Sequence, residues 1–162
     1  MAQSGIHAAI VYNFKYFIPN RKYILPSIII GAILPDLDIL IVSFKTIFSD
    51  TSINTSLPER YILHSFFSII IIYLLFLILS EIKNTSLYRI IGKGIALGML
   101  SHIIIDTFLW FQDIQFLWPL PFKPFMIWNL FNIPRWVYNT ILTLEFICFY
   151  YYAWFLISKH IK

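Results

Sequence analysis

The sequence predicts an all-α integral membrane protein, one domain over residues 1–162, built as a bundle of four to five helices. Three observations carry that expectation. Of the 162 residues 59% are hydrophobic and only 12% charged, about half the charge that a water-facing surface carries. The mean hydropathy is +0.77. Apolar runs of membrane-spanning length recur along the chain, parted by polar or proline-rich connections.

The runs are taken in chain order. Residues 6–18 form a short first helix that spans obliquely or lies in the interface. Asn20, Arg21 and Lys22 separate it from a second run, 24–44, interrupted by Pro35, Asp36, Leu37 and Asp38. Residues 49–60 are a loop rich in Ser, Thr and Asn, and 62–80 is an almost unbroken apolar run of spanning length. A polar turn, 81–89, leads into the run 90–111, which carries Ser101, His102 and Asp106. Residues 118–135 combine Pro119, Pro121, Pro124 and Pro134 with tryptophan and phenylalanine, which suits an interfacial or re-entrant loop. The last run, 137–157, is again long enough to span. No internal repeat is visible.

The single cysteine, Cys148, excludes an intramolecular disulfide or a cysteine-based metal cluster. Cys148 and the run Tyr150, Tyr151 and Tyr152 are assigned to packing or to the interface. The N-terminus lacks a basic n-region and a small-residue cleavage site, so it reads as retained rather than as a signal peptide.

The net charge of +4 does not point to nucleic acid, because the basic residues are scattered between apolar segments rather than gathered in a stripe. They report topology instead. With every helix spanning, Arg21, Lys22, Lys83, Arg89, Lys93, Lys159 and Lys162 fall on one side. Lys45, Arg60, Lys123 and Arg135 fall on the other. The richer side should be cytoplasmic, with the N-terminus outside and the C-terminus inside a plasma (inner) membrane.

An ionisable residue within a spanning helix costs roughly 2.5–3.5 kcal/mol on insertion scales and usually faces a partner or a cavity. Asp36, Asp38, His64, His102, Asp106 and Glu145 occupy such positions, with His7 in the first helix. Half of the eight acids therefore sit in apolar helices. Helix rise puts Asp36 and His102 at a common depth, roughly 18 Å from the cytoplasmic ends of their helices. The other ionisable residues are expected at similar depths in the outer half of the membrane. His102 and Asp106, spaced i, i+4, share one helix face and can ligate one ion. Asp36 and Asp38 flank the break at Pro35, and Asp38 also suits a helix cap. Imidazole mixed with carboxylate fits a divalent metal, zinc first, with manganese or iron also suited.

These residues fall in a recognisable order. Gly5, Ile6 and His7 come first, then Gly31-Ala32-Ile33-Leu34-Pro35-Asp36-Leu37-Asp38. Arg60 and His64-Ser65 follow, then Gly98-Met99-Leu100-Ser101-His102-Ile103-Ile104-Ile105-Asp106, and finally Leu117-Trp118-Pro119. Between about residues 5 and 120 the chain resembles the YdjM-type membrane-bound metal-dependent hydrolase family. More remotely it is similar to the helical fold of the zinc-dependent phospholipases C, although their second HxxxE pair is absent. One departure stands out: where the family often has His-Arg-Gly-x-Thr-His-Ser, this chain has Glu59-Arg60-Tyr61-Ile62-Leu63-His64-Ser65.

The resemblance implies a hydrolase acting on a membrane lipid or lipid-linked phosphoester through a metal-activated water. Asp36, His64, His102 and Asp106 would ligate the metal, with His7 and Asp38 in a second metal site or a supporting shell. Asp38 or Glu59 would take the proton of the attacking water. Arg60 would hold a phosphate oxygen with its forked donors. The rival expectation is a non-enzymatic protein, either a cation or proton pathway or a structural subunit, using the same buried His/Asp cluster. A transporter would more typically show repeated halves or paired broken helices, and only the Pro35 break is clear.

Overall fold

A computed structural model describes residues 3–18, 22–37, 62–109, 115–123, 127–131 and 134–160. All regular structure among them is helical. Five α-helices follow in order: α1 (Gln3–Asn13), α2 (Ile24–Ile33), α3 (Phe66–Ile82), α4 (Ser86–Leu109) and α5 (Arg135–His160). Short 3-10 turns follow α1 and α2, at Phe14–Phe17 and Leu34–Leu37, and a third lies at Ile127–Leu130.

The helix ends have local causes. The turn after α1 stops at Ile18, whose backbone is extended (φ −93°, ψ 118°), as expected of a residue that precedes a proline. Helix α2 gives way to a 3-10 turn at Leu34–Leu37. Pro35 lies inside that turn and cannot donate a helical hydrogen bond. Ser65 caps α3: its backbone is extended, and its side chain accepts from the Ser68 N–H. The expected run 62–80 thus starts its helix four residues later, because this cap fixes the first turn at Phe66. At the other end Asn84 takes a left-handed conformation (φ 47°), and Thr85 N donates to the Ser80 carbonyl at 3.1 Å. That closes the α3–α4 hairpin at the expected polar turn. Arg89 and Glu81 pair across it at 2.7 Å on an exposed surface.

Helix α4 is the axis of the fold. Helices α2 and α3 pack along it, and α1 packs on α2, α4 and α5. The described apolar core is small: Ala9, Val11, Ile28, Ala32, Ile95, Met99 and Ile103. Large apolar side chains cover much of the outside, including Ile70, Ile71, Leu74, Leu75 and Ile78 along α3. Such a surface matches an apolar solvent rather than water. Among the described residues one stretch, Ser86–Phe108, is long and apolar enough to cross a membrane. Helix α3 and the stretch Ile24–Leu37 are apolar but shorter. The 17 residues of α3 rise roughly 25 Å, against about 30 Å of hydrocarbon.

Candidate metal centre

The polar residues that the sequence scatters over a hundred positions meet around the far half of α4. His102 lies sixteen residues beyond Ser86 on α4, roughly 24 Å along the axis from the α3–α4 turn. Both His102 and Asp106 are buried, as is His7 of α1. Asp36 reaches the cluster from the 3-10 turn after α2. His64 arrives just before the Ser65 cap, two residues ahead of the first residue of α3.

Four hydroxyl and carbonyl contacts hold the His64 turn in place. Ser65 Oγ donates to the Ile62 carbonyl at 2.9 Å and lies 3.1 Å from Ser68 Oγ. The Ser68 hydroxyl also reaches the Ile62 carbonyl. Ser68 N donates back to Ser65 Oγ at 3.2 Å. The next residue, Phe66, donates its N–H to the Phe116 carbonyl at 2.9 Å, tying this turn to the segment after α4. His64 is therefore presented by a fixed loop.

At the centre is His102. Its Nδ1 stands 2.7 Å from the Ala32 carbonyl oxygen. A carbonyl only accepts, so Nδ1 carries the proton and donates, which leaves the Nε2 lone pair for the cluster. Around that Nε2 stand Asp106 Oδ2 at 3.1 Å, His64 Nε2 at 3.2 Å and Asp36 Oδ1 at 3.7 Å. His64 Nε2 is 3.5 Å from Asp106 Oδ2. His64, His102 and Asp106 thus form a closed triangle of donor atoms.

On the other side of Asp106, His7 Nε2 approaches Oδ1 at 3.0 Å, and the His7 ring stacks on that of His102 with centroids 3.8 Å apart. The approach is out of line for a hydrogen bond: Asp106 Oδ1 and His7 Nδ1 are buried without a hydrogen-bond partner. Buried polar atoms without partners are rare in folded proteins and call for an explanation.

A divalent ion fits this donor set. Tetrahedral ligation with bonds of about 2.0–2.1 Å separates neighbouring ligand atoms by about 3.3–3.5 Å, and the triangle has edges of 3.1, 3.2 and 3.5 Å. With His102 neutral, its Nε2 lone pair 3.1 Å from a carboxylate oxygen is repulsive unless a proton or a metal ion lies between them, and a divalent ion would satisfy all three atoms of the triangle at once. Among the described residues two groupings could hold an ion, His7 with His102 and Asp106, and Asp36 with His64 and His102. They share His102, whose Nδ1 is already engaged by Ala32. Only one ion can use the remaining nitrogen.

Of the residues singled out in the sequence, His7, Asp36, His64, His102 and Asp106 are brought together. Asp38, Glu59 and Arg60 lie outside the described residues, as does the side chain of Glu145. Sequence reasoning missed the supports: the Ala32 carbonyl and the Ser65–Ser68 cap. A serine directly after His64, with another three residues on, was a readable cap signal. The role of a main-chain carbonyl carried no such mark.

Comparison with curated proteins and with solved structures found no match. A family model described as YdjM inner membrane protein matches residues 2–161. With a match over nearly its whole length, the chain belongs to the YdjM inner membrane protein family.

Proposed function

We propose that this membrane protein is a metal-dependent hydrolase of lipid-linked phosphoesters. His64, His102 and Asp106 hold one divalent ion, zinc before manganese or iron, and Asp36 supplies a longer fourth contact. The observation that supports this reading is the closed triangle of two imidazole nitrogens and one carboxylate oxygen with edges of 3.1–3.5 Å. Two histidines and a carboxylate form a donor set used by catalytic zinc, which keeps a further position open. A divalent ion bound there supplies Lewis-acid polarisation of a phosphoryl oxygen and acidifies water into a nucleophile near neutral pH.

The chain's own groups divide the remaining work. His102 is fixed in orientation by Ala32. The cluster is open on one edge: the side chains of His102 and Asp106 are 0% and 3% exposed, those of Asp36 and His64 11% and 15%. Leu37, which follows Asp36, and Ile62, two residues before His64, are exposed apolar side chains. That pairing of a polar edge with an apolar border suits a substrate with a charged head and a hydrocarbon tail. From the sequence, Asp38 or Glu59 takes a proton from water, and Arg60 binds a phosphate oxygen. The charge distribution of the connections favours a site facing away from the cytoplasm.

The test is elemental analysis of detergent-purified protein together with phosphodiesterase turnover, for the wild type and for the double substitution His102→Ala/Asp106→Ala. About one transition-metal ion per wild-type chain, lost with turnover in the double variant, supports the proposal. A wild type without metal would sink it. Metal without turnover would favour the non-enzymatic reading.

A further inference from the structure

Helices α2 and α4 touch backbone to backbone next to the cluster, and glycines make that approach possible. A Cβ on Gly98 of α4 would collide with the Ile28 carbonyl and stand 2.6 Å from Ala32 N and 2.8 Å from the Gly31 carbonyl carbon. In the other direction, a Cβ on Gly31 would collide with the Ile95 carbonyl oxygen and lie 2.8 Å from Ile95 Cα. Gly98 precedes His102 by one turn on the same helix face. Gly31 directly precedes Ala32, whose carbonyl receives the His102 N–H.

The sequence removes one main-chain donor from that carbonyl. Helix α2 passes into a 3-10 turn over Leu34–Leu37. In the 3-10 pattern the Ala32 carbonyl would receive the N–H of residue 35, and Pro35 has none. A carbonyl at a helix end without a main-chain donor is a standing acceptor. Close packing at Gly31 and Gly98 sets it against His102.

We infer that Gly31, Gly98 and Pro35 are positioning residues for the metal centre: together they deliver the Ala32 carbonyl to His102 Nδ1 and so fix the ring with Nε2 toward the ion. The inference builds on the proposed metal site and adds how one ligand is oriented. Magnitudes decide whether the contact is that sensitive. Restoring an ordinary van der Waals separation around an added methyl at residue 98 moves the two backbones apart by roughly 1 Å. The 2.7 Å contact would then exceed 3.5 Å, beyond hydrogen-bond reach. Partners that orient metal ligands typically carry 10- to 100-fold in metal affinity.

The experiment compares Gly98→Ala with Gly92→Ala. Gly92 lies on the same helix but faces Phe76 of α3, where an added methyl meets that side chain. Both variants insert one methyl into a tight helix contact; only one lies beside His102. Zinc affinity, measured by competition with a chelating dye on folded, detergent-solubilised protein, should fall about 10- to 100-fold for Gly98→Ala. For Gly92→Ala it should stay within twofold. Equal losses in the two variants, or none in Gly98→Ala, overturn the inference. A second measurement needs no variant: 15N spectra of histidine-labelled wild type should show His102 protonated at Nδ1, with or without zinc. An unprotonated Nδ1 in the metal-free protein overturns the inference even if zinc binds. A wild type that binds no zinc yet shows Nδ1 protonated sinks the metal reading and leaves the orienting contact standing.

Discussion

The Nε2 atoms of His64 and His102 face one another across 3.2 Å, although 38 residues separate them in the chain. Each ring is held from elsewhere. The Ala32 carbonyl engages the opposite nitrogen of His102, and the Ser65–Ser68 knot fixes the turn bearing His64. Two imidazoles oriented so independently, with Asp106 Oδ2 within 3.5 Å of both, make a pre-formed site rather than a collapsed one. The expected consequences of that arrangement are separable.

Asp106 touches every histidine of the cluster. Asp106→Asn keeps its shape and removes its charge. Zinc affinity should fall at least 100-fold, while helical content by circular dichroism stays within a tenth of wild type. Retention of wild-type affinity would show that the carboxylate is not a ligand.

Removing the ion should destabilise the fold. Asp36 and Asp106 both face His102, and without a cation their charges repel in a low-dielectric interior. An ion bound only by the folded state adds about 2.7 kcal/mol at a free concentration one hundred times its Kd. Chelation should therefore lower the melting temperature in detergent, and adding back one equivalent of zinc should restore it. An unchanged melting curve would speak against a resident ion.

Ser65→Ala removes both the α3 cap and the brace behind His64. A lost N-cap costs about 1 kcal/mol, so thermal stability should drop modestly. Metal affinity should drop as well, because His64 is no longer held. By contrast, Arg89→Ala breaks the exposed pair with Glu81, which is worth less than about 1 kcal/mol. Its metal affinity should match the wild type, since the pair lies at the opposite end of α4. Equal affinity losses in the two variants would mean that the metal site reports global stability only.

Arg60→Ala is expected to lower phosphodiesterase turnover at least tenfold while leaving metal content unchanged, as befits a group that holds substrate rather than the ion. Parallel loss of metal and turnover would remove that role.

How far these features were legible in the sequence differs residue by residue. Helical class and the α3–α4 hairpin followed from apolar runs and the polar turn between Glu81 and Arg89, since long periodic segments are governed by composition. The depth argument brought Asp36 and His102 to one level, with His64 and Asp106 in the same outer half, because helix rise converts position into height. It could not tell which face of each helix turns inward; that depends on packing such as the Gly31–Gly98 approach. The start of α3 was read four residues early because apolarity continues through Ile62 and Leu63, while the cap that sets the boundary is a hydroxyl contact. The second helix was expected to resume after Pro35; residues 38–61, with Asp38, Glu59 and Arg60, lie outside those described. The orienting role of Ala32 depends on a main-chain atom common to all residues, so no side-chain motif announces it.

X-ray absorption spectroscopy at the edge of the copurifying metal tests the shared-ion claim most directly. The account expects two imidazoles and one or two carboxylate oxygens at about 2.0–2.2 Å, with the imidazole scattering halved by His64→Ala. A metal shell of oxygen alone, or a signal unchanged by that substitution, would contradict it.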